Sequence, residues 1–156
     1  MSWVVVRVRS NVNVERSIRE TMDYLNLTKV NHAVIIPENE QYRGMLQKAK
    51  DYITWGDATE EIVEKMLSER GRMSGDHPLT DSLVKDNTDF KNIGEFAKAI
   101  VSNDATVKHV PGLKRVFRLH PPRGTKGWGG IKRSFVLGGA LGSRGDKIDA
   151  LVERMI

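Results

Sequence analysis

The chain has 156 residues, 39% of them hydrophobic, which suits one domain, or one domain with an insertion, built on a real core. It holds no cysteine, which excludes disulfides, thiolate metal sites and cysteine nucleophiles and fits a reducing compartment; no apolar run approaches the roughly 18 residues a bilayer span needs. The net charge of +5 is unevenly placed, because residues 105–145 carry nine Lys/Arg and no Asp or Glu, whereas residues 1–104 carry more acids than bases.

Trp3 to Arg9 alternates and is β-branched, which predicts a strand with Val4, Val6 and Val8 facing the core and Arg7 and Arg9 on the other face. This start reads as a strand and not a signal peptide, so a cytoplasmic protein is expected. Val14, Ile18, Met22 and Leu25 recur at helical spacing, with Asn13 as the expected N-cap. His32 to Pro37 predicts a second strand. Asn39 can cap a second helix whose shared face holds Tyr42, Leu46, Ala49 and Ile53, and Tyr52 to Trp55 can already be a third strand. Gly44 inside that helix costs about 1 kcal/mol relative to alanine. Close packing inside the domain would explain it, as would close approach of another chain or RNA.

Residues 57–104 read as a helical insertion. Asp57 with Glu60 forms a possible capping box for a helix stopped by Gly71, Thr80 can cap a short helix from Asp81, and Ile93, Phe96, Ala97 and Ile100 mark another. Val116–Leu119 is a short strand, with Ser134–Leu137 as its expected hairpin partner. A final helix over Asp146 to Met155 places Ile148, Leu151, Val152 and Met155 on its apolar face.

The acid-free segment carries the functional signal. Lys114, Arg115, Arg118, His120, Arg123, Lys126, Lys132 and Arg133 fall within twenty residues, around a glycine-rich loop from Pro121 to Gly130. A plain solvated face would interleave acids, so phosphate contact is the better reading, with arginine making bidentate pairs. Trp128 near the loop tip can stack on an unpaired base or fold back onto the protein.

Other chemistry is poorly supported. Gly138 to Gly145 precedes a helix, but neither it nor Gly127 to Arg133 has the phosphate-loop or dinucleotide spacing, and Asp146 would repel a phosphate. His32, His77, His109 and His120 show no metal or triad spacing. His120 is associated with RNA, and His32 is read as structural. Glu60, Glu61, Glu64 and Glu69 read as a solvated helix face, so no acid–base pair is assigned.

Thr21-Met22, Leu25, Leu27, Lys29, His32 and Val34, followed by Met45-Leu46, Ala49 and Tyr52-Ile53, resemble the signature of large-subunit ribosomal protein family thirty. Leu27 to His32 and Arg43-Gly44-Met45-Leu46 are close to it as well. Residues 1–56 are similar to the short bacterial form of the family. Tyr52-Ile53-Thr54-Trp55-Gly56 and Gly112 to Gly124 look like the longer archaeal type, which is related in turn to eukaryotic large-subunit protein seven. The resemblance therefore covers essentially the whole chain. It implies an α+β fold with a β-α-β-α-β core and a small three-stranded sheet, no catalytic activity, and binding to large-subunit rRNA near the small rRNA of that subunit.

The combined expectation is one compact unit made of an α+β core (1–56), a helical insertion (57–104), a basic glycine-rich rRNA-binding segment with a β-hairpin loop (105–145) and a C-terminal helix (146–156). The expected RNA contacts are Arg7, Arg9 and Arg43 on the core, with Lys114, Arg115, Arg118, His120, Arg123, Lys126, Trp128, Lys132, Arg133 and Arg144 on the basic segment. Neighbouring ribosomal proteins are expected partners. No cofactor, metal, membrane or small-molecule substrate is expected. The alternatives are an RNA- or DNA-binding regulator that works off the ribosome and, more remotely, an enzyme acting on a phosphorylated ligand.

Overall fold

The computed structural model describes residues 2–124 and 127–156. Strand β1 (Ser2–Arg7) is flanked by two antiparallel partners, β2 (His32–Pro37) and β3 (Ile53–Asp57), so that Val5 lies opposite both Val34 and Trp55. Helices α1 (Arg16–Tyr24) and α2 (Glu40–Lys48) make the two connections. The β-α-β-α-β order is the expected one, but the sheet does not stop at three strands. β4 (Phe117–Arg118) joins the outer edge of β2, β6 (Gly139–Ser143) runs parallel to β3, and β5 (Gly130–Ser134) lies beyond it, giving the order β4-β2-β1-β3-β6-β5.

Helices cover both faces. Val4, Val6, Ala33 and Ile35 pack with residues of α3 (Glu60–Arg70), α5 (Ile93–Val101) and α6 (Ile148–Met155), and Val84 of α4 (Asp81–Asn87) joins the same core. Trp3, Val5, Val34, Ile36, Ile53 and Trp55 pack on the other side with Met22, Leu25, Leu46 and Ala49. The expectation of one buried face on β1 is thus corrected. A strand covered on both sides is apolar at nearly every position, which is why Trp3 to Val6 reads as a continuous run.

The expected hairpin between Val116–Leu119 and Ser134–Leu137 does not form. β4 and β5 sit at opposite edges of the sheet, and Phe135–Leu137 is a 3₁₀ turn. Phe117, fully buried opposite Ala33, ties β4 to β2. At the far edge the chain doubles back so tightly that a Cβ on Gly139 would stand 2.1 Å from the Arg133 carbonyl oxygen.

Most helix starts are side-chain capped. Asn39 accepts from the Tyr42 amide at 2.8 Å, Thr80 from Leu83 at 3.3 Å, and Asn92 from Glu95 at 2.8 Å. Two expectations shift. Asn13 has φ +56° and lies outside α1, whose N-cap position is held by Glu15. The cap of α3 is Thr59 and not Asp57, because Asp57 is still paired with Trp3 in β3.

Two glycines separate packing from partner contact. A Cβ on Gly56 would meet the Gly145 carbonyl at 2.2 Å and Ile148 Cβ at 2.6 Å, whereas one on Gly44 would meet nothing within 4 Å. Packing inside the domain therefore does not explain Gly44, which lies exposed beside Arg43. Gly44→Ala should raise the stability of the isolated chain by about 0.5–1 kcal/mol, and Gly56→Ala should lower it by about 2–3 kcal/mol. Urea midpoints check both.

Candidate nucleic-acid interface

Because β4 and β5 occupy opposite edges, the acid-free segment wraps the molecule from one side of the sheet to the other. Five inter-strand steps separate the edges, about 24 Å at the usual spacing of about 4.8 Å. Between them the chain is strapped to the end of α6. The His120 amide donates to the Met155 carbonyl at 2.8 Å and the Arg123 amide to the Arg154 carbonyl at 3.2 Å, which satisfies acceptors that a helix C-terminus leaves open. The Arg154 side chain donates back to the Arg123 carbonyl at 2.8 Å and to the Gly127 carbonyl.

This path sorts the expected contact residues. At the β4 edge, Arg115 and Arg118 are exposed and Lys114 is half-buried. His120 and Arg123 are exposed on the strap, and Lys132 and Arg133 are exposed on β5. Lys126 lies outside the described residues. Arg43 is exposed but close to Glu38 at 3.5 Å and Glu40 at 4.0 Å, and its guanidinium lies 5.8 Å from the Trp3 ring. Arg9 is half-buried with its guanidinium 5.3 Å from the Tyr52 ring.

Burial corrects the expectation for Arg7, while Arg144 and Trp128 are half-buried with their contacts inside the protein. Arg7 is 1% exposed, and its guanidinium donates to the Leu27 carbonyl at 2.7 Å, the Arg9 carbonyl at 2.9 Å and Asn11 Oδ1. Its position on the second buried face of β1 leaves it no route to a phosphate. Desolvation lowers its pKa and Asp23 partly offsets this. Arg144 donates to Thr54 Oγ1 at 2.8 Å and the Ala140 carbonyl at 3.1 Å and lies 4.8 Å from the Phe135 ring, so it pins β6 to β3. Burial, helped by Arg154, brings its pKa down to about 10, which still leaves it charged at neutral pH. Trp128 is half-buried and packs against the Val8–Ala140–Leu141 cluster and the main core, so it folds back and anchors the loop.

His32, read as structural, is half-buried. It begins β2 opposite Arg118, and desolvation, then Lys29, Arg118 and Arg7, hold its pKa below the ordinary histidine value. It is therefore neutral at physiological pH.

Asp76 went unseen in the sequence. From a loop residue with φ +62° its carboxylate meets Lys114 Nζ at 2.6 Å and Arg118 at 3.0 Å, and those two cations hold its pKa below the usual carboxylate range. Nothing local marks it, since the contact spans 38 and 42 residues of chain. The exposed Val136 and Leu137, next to Lys132 and Arg133, were also missed. Among the described residues no cluster of three or more His, Asp or Glu side chains could hold a metal ion.

The chain is a layered α+β domain with cations spread along a segment that runs from one edge of the sheet to the other. A family model described as Ribosomal protein L30p/L7e matches residues 3–53. Over nearly its whole length the chain is also similar to three archaeal proteins, each named Large ribosomal subunit protein uL30. The one from Methanosphaera stadtmanae is 47% identical over 154 residues, covering 99% of both chains. That from Methanobrevibacter smithii is 43% identical with the same coverage, and that from Methanopyrus kandleri is 46% identical over 96% of this chain and 100% of its own. The chain belongs to this family, in its longer archaeal form.

Arg7→Ala should cost about 3 kcal/mol in urea unfolding, because it strands buried acceptors. It should leave RNA affinity of the folded fraction unchanged. Asp76→Asn should strengthen RNA binding on the order of threefold in filter binding at low salt, because it removes a carboxylate that competes with phosphate for Lys114 and Arg118.

Proposed function

We propose that this chain is a non-catalytic constituent of the large ribosomal subunit that binds and braces rRNA from two sides. The observation that carries the reading is the acid-free segment 105–145, laid across the molecule so that Arg115 and Arg118 mark one edge and Lys132 and Arg133 the other. The family supports it, since its archaeal members named above are large-subunit proteins. Two cationic edges about 24 Å apart suit two RNA segments held at a fixed separation. Arg9 and Arg43 extend the surface over the core, and the bare Cα of Gly44 allows a backbone to come close there. Neighbouring ribosomal proteins are the second class of partner, for which the apolar tip of Val136 and Leu137 is suited.

Phosphate contacts release counterions, so affinity must fall with salt. With about six to nine contacts the slope of log K against log salt should be on the order of −4 to −8. Lys132→Ala with Arg133→Ala should make that slope shallower by about 1.5 without unfolding the chain, because both side chains are exposed. Salt titration of binding to transcribed large-subunit rRNA checks this, and a flat dependence contradicts the proposal.

A further inference from the structure

On the α1–α2 side of the sheet a groove of about 230 Å³ opens over the outer half of β2. β4 pairs only with His32 and Ala33, so among the described residues Val34 to Pro37 have no strand partner on the edge away from β1, and they form part of the lining. Tyr24 and Tyr42 line it from α1 and α2, Asn26 from the turn after α1, and Lys108 and Arg115 from the acid-free segment. Among the described residues no carboxylate lines it.

Two features of this lining lack an explanation within the fold. Tyr24 is 78% exposed and stands off the apolar stripe of α1, which buries Met22. Lys108 and Arg115 are exposed, and among the described residues neither pairs with a carboxylate, unlike Lys114 and Arg118, which share Asp76. An exposed aromatic ring beside two free cations on an apolar floor matches the chemistry of an unstacked nucleotide. The volume is below the range of about 300–1,000 Å³ typical of larger ligands, and suits one base.

A peptide strand added to β2 fits less well. The Leu119 amide donates to the Asn31 carbonyl, so by strand alternation the outward-facing residues are Asn31, Ala33 and Ile35. β4 already occupies the first two, and Pro37 has no N–H to give. Only Ile35 is left to offer a full backbone pair to a docking strand.

We propose that this groove receives one unpaired rRNA nucleotide, with its base stacked on Tyr24 and its phosphate held by Lys108 and Arg115. The proposal rests on the rRNA-binding reading above and assigns to Tyr24 the stacking role that Trp128, packed inward, does not fill.

The test uses the full chain and transcribed large-subunit rRNA, with chemical probing of every nucleotide and a salt titration. Tyr24→Ala should weaken binding about tenfold at an unchanged salt slope. It should also expose one unpaired nucleotide while the rest of the footprint persists. Tyr24→Trp should restore both. Lys108→Ala with Arg115→Ala should expose the same nucleotide and make the slope shallower by about 1.5. If Tyr24→Ala leaves affinity and every protection unchanged within an intact footprint, the nucleotide site is wrong and the rRNA reading stands. Crosslinking of Tyr24 in assembled subunits to a neighbouring protein instead of RNA would overturn the site in the same way. Absence of any rRNA footprint for the unaltered chain would overturn both.

Discussion

Everything in this molecule hangs on β1 being buried on both faces. Val4 and Val6 feed one core and Trp3 and Val5 the other, while the backbone pairs with β2 and β3 at once. That demand fixes helices on both sides of the sheet. It also explains the cost accepted at Arg7, a cation held inside by three acceptors. With both faces covered, the sheet can grow only at its edges, through β4 against β2 and β6 against β3. The basic segment supplies both additions, so completing the fold also carries its charge around the domain.

This arrangement makes one stretch of chain serve two ends. Its buried residues, Phe117 at one edge and Ala140 and Leu141 at the other, are structural. Its exposed cations, Lys108, Arg115, Arg118, Arg123, Lys132 and Arg133, lie between and beside them. The strap over the end of α6 and the inward packing of Trp128 limit how far the two edges can move relative to each other. A segment anchored in this way loses less entropy on binding than a free basic tail would. Asp76 adds restraint, since it holds Lys114 and Arg118 in place.

Much of the fold was legible because local signals agreed with tertiary demand. The caps at Asn39 and Thr80 and the apolar stripe of α6 act as read. What failed was non-local. Strand periodicity cannot show that a second layer of helices will cover Arg7, nor that Phe117 will choose β2 over the nearer Ser134. On the site, the charge asymmetry singled out residues 105–145 as a whole. It could not separate Arg133, exposed on an edge, from Arg144, turned inward onto Thr54, because both are arginines in the same acid-free run. Gly139, in the stretch weighed and set aside as a nucleotide site, is required by the protein's own tight turn.

The central claim is that the wrapped basic segment meets large-subunit rRNA. The most direct measurement is crosslinking of the protein in cell extract, followed by sequencing of the attached RNA and mapping of the attached residues. The account predicts crosslinks concentrated in large-subunit rRNA and mapping to residues 114–133. Crosslinks scattered over messenger and transfer RNA, or none on this segment, would contradict it.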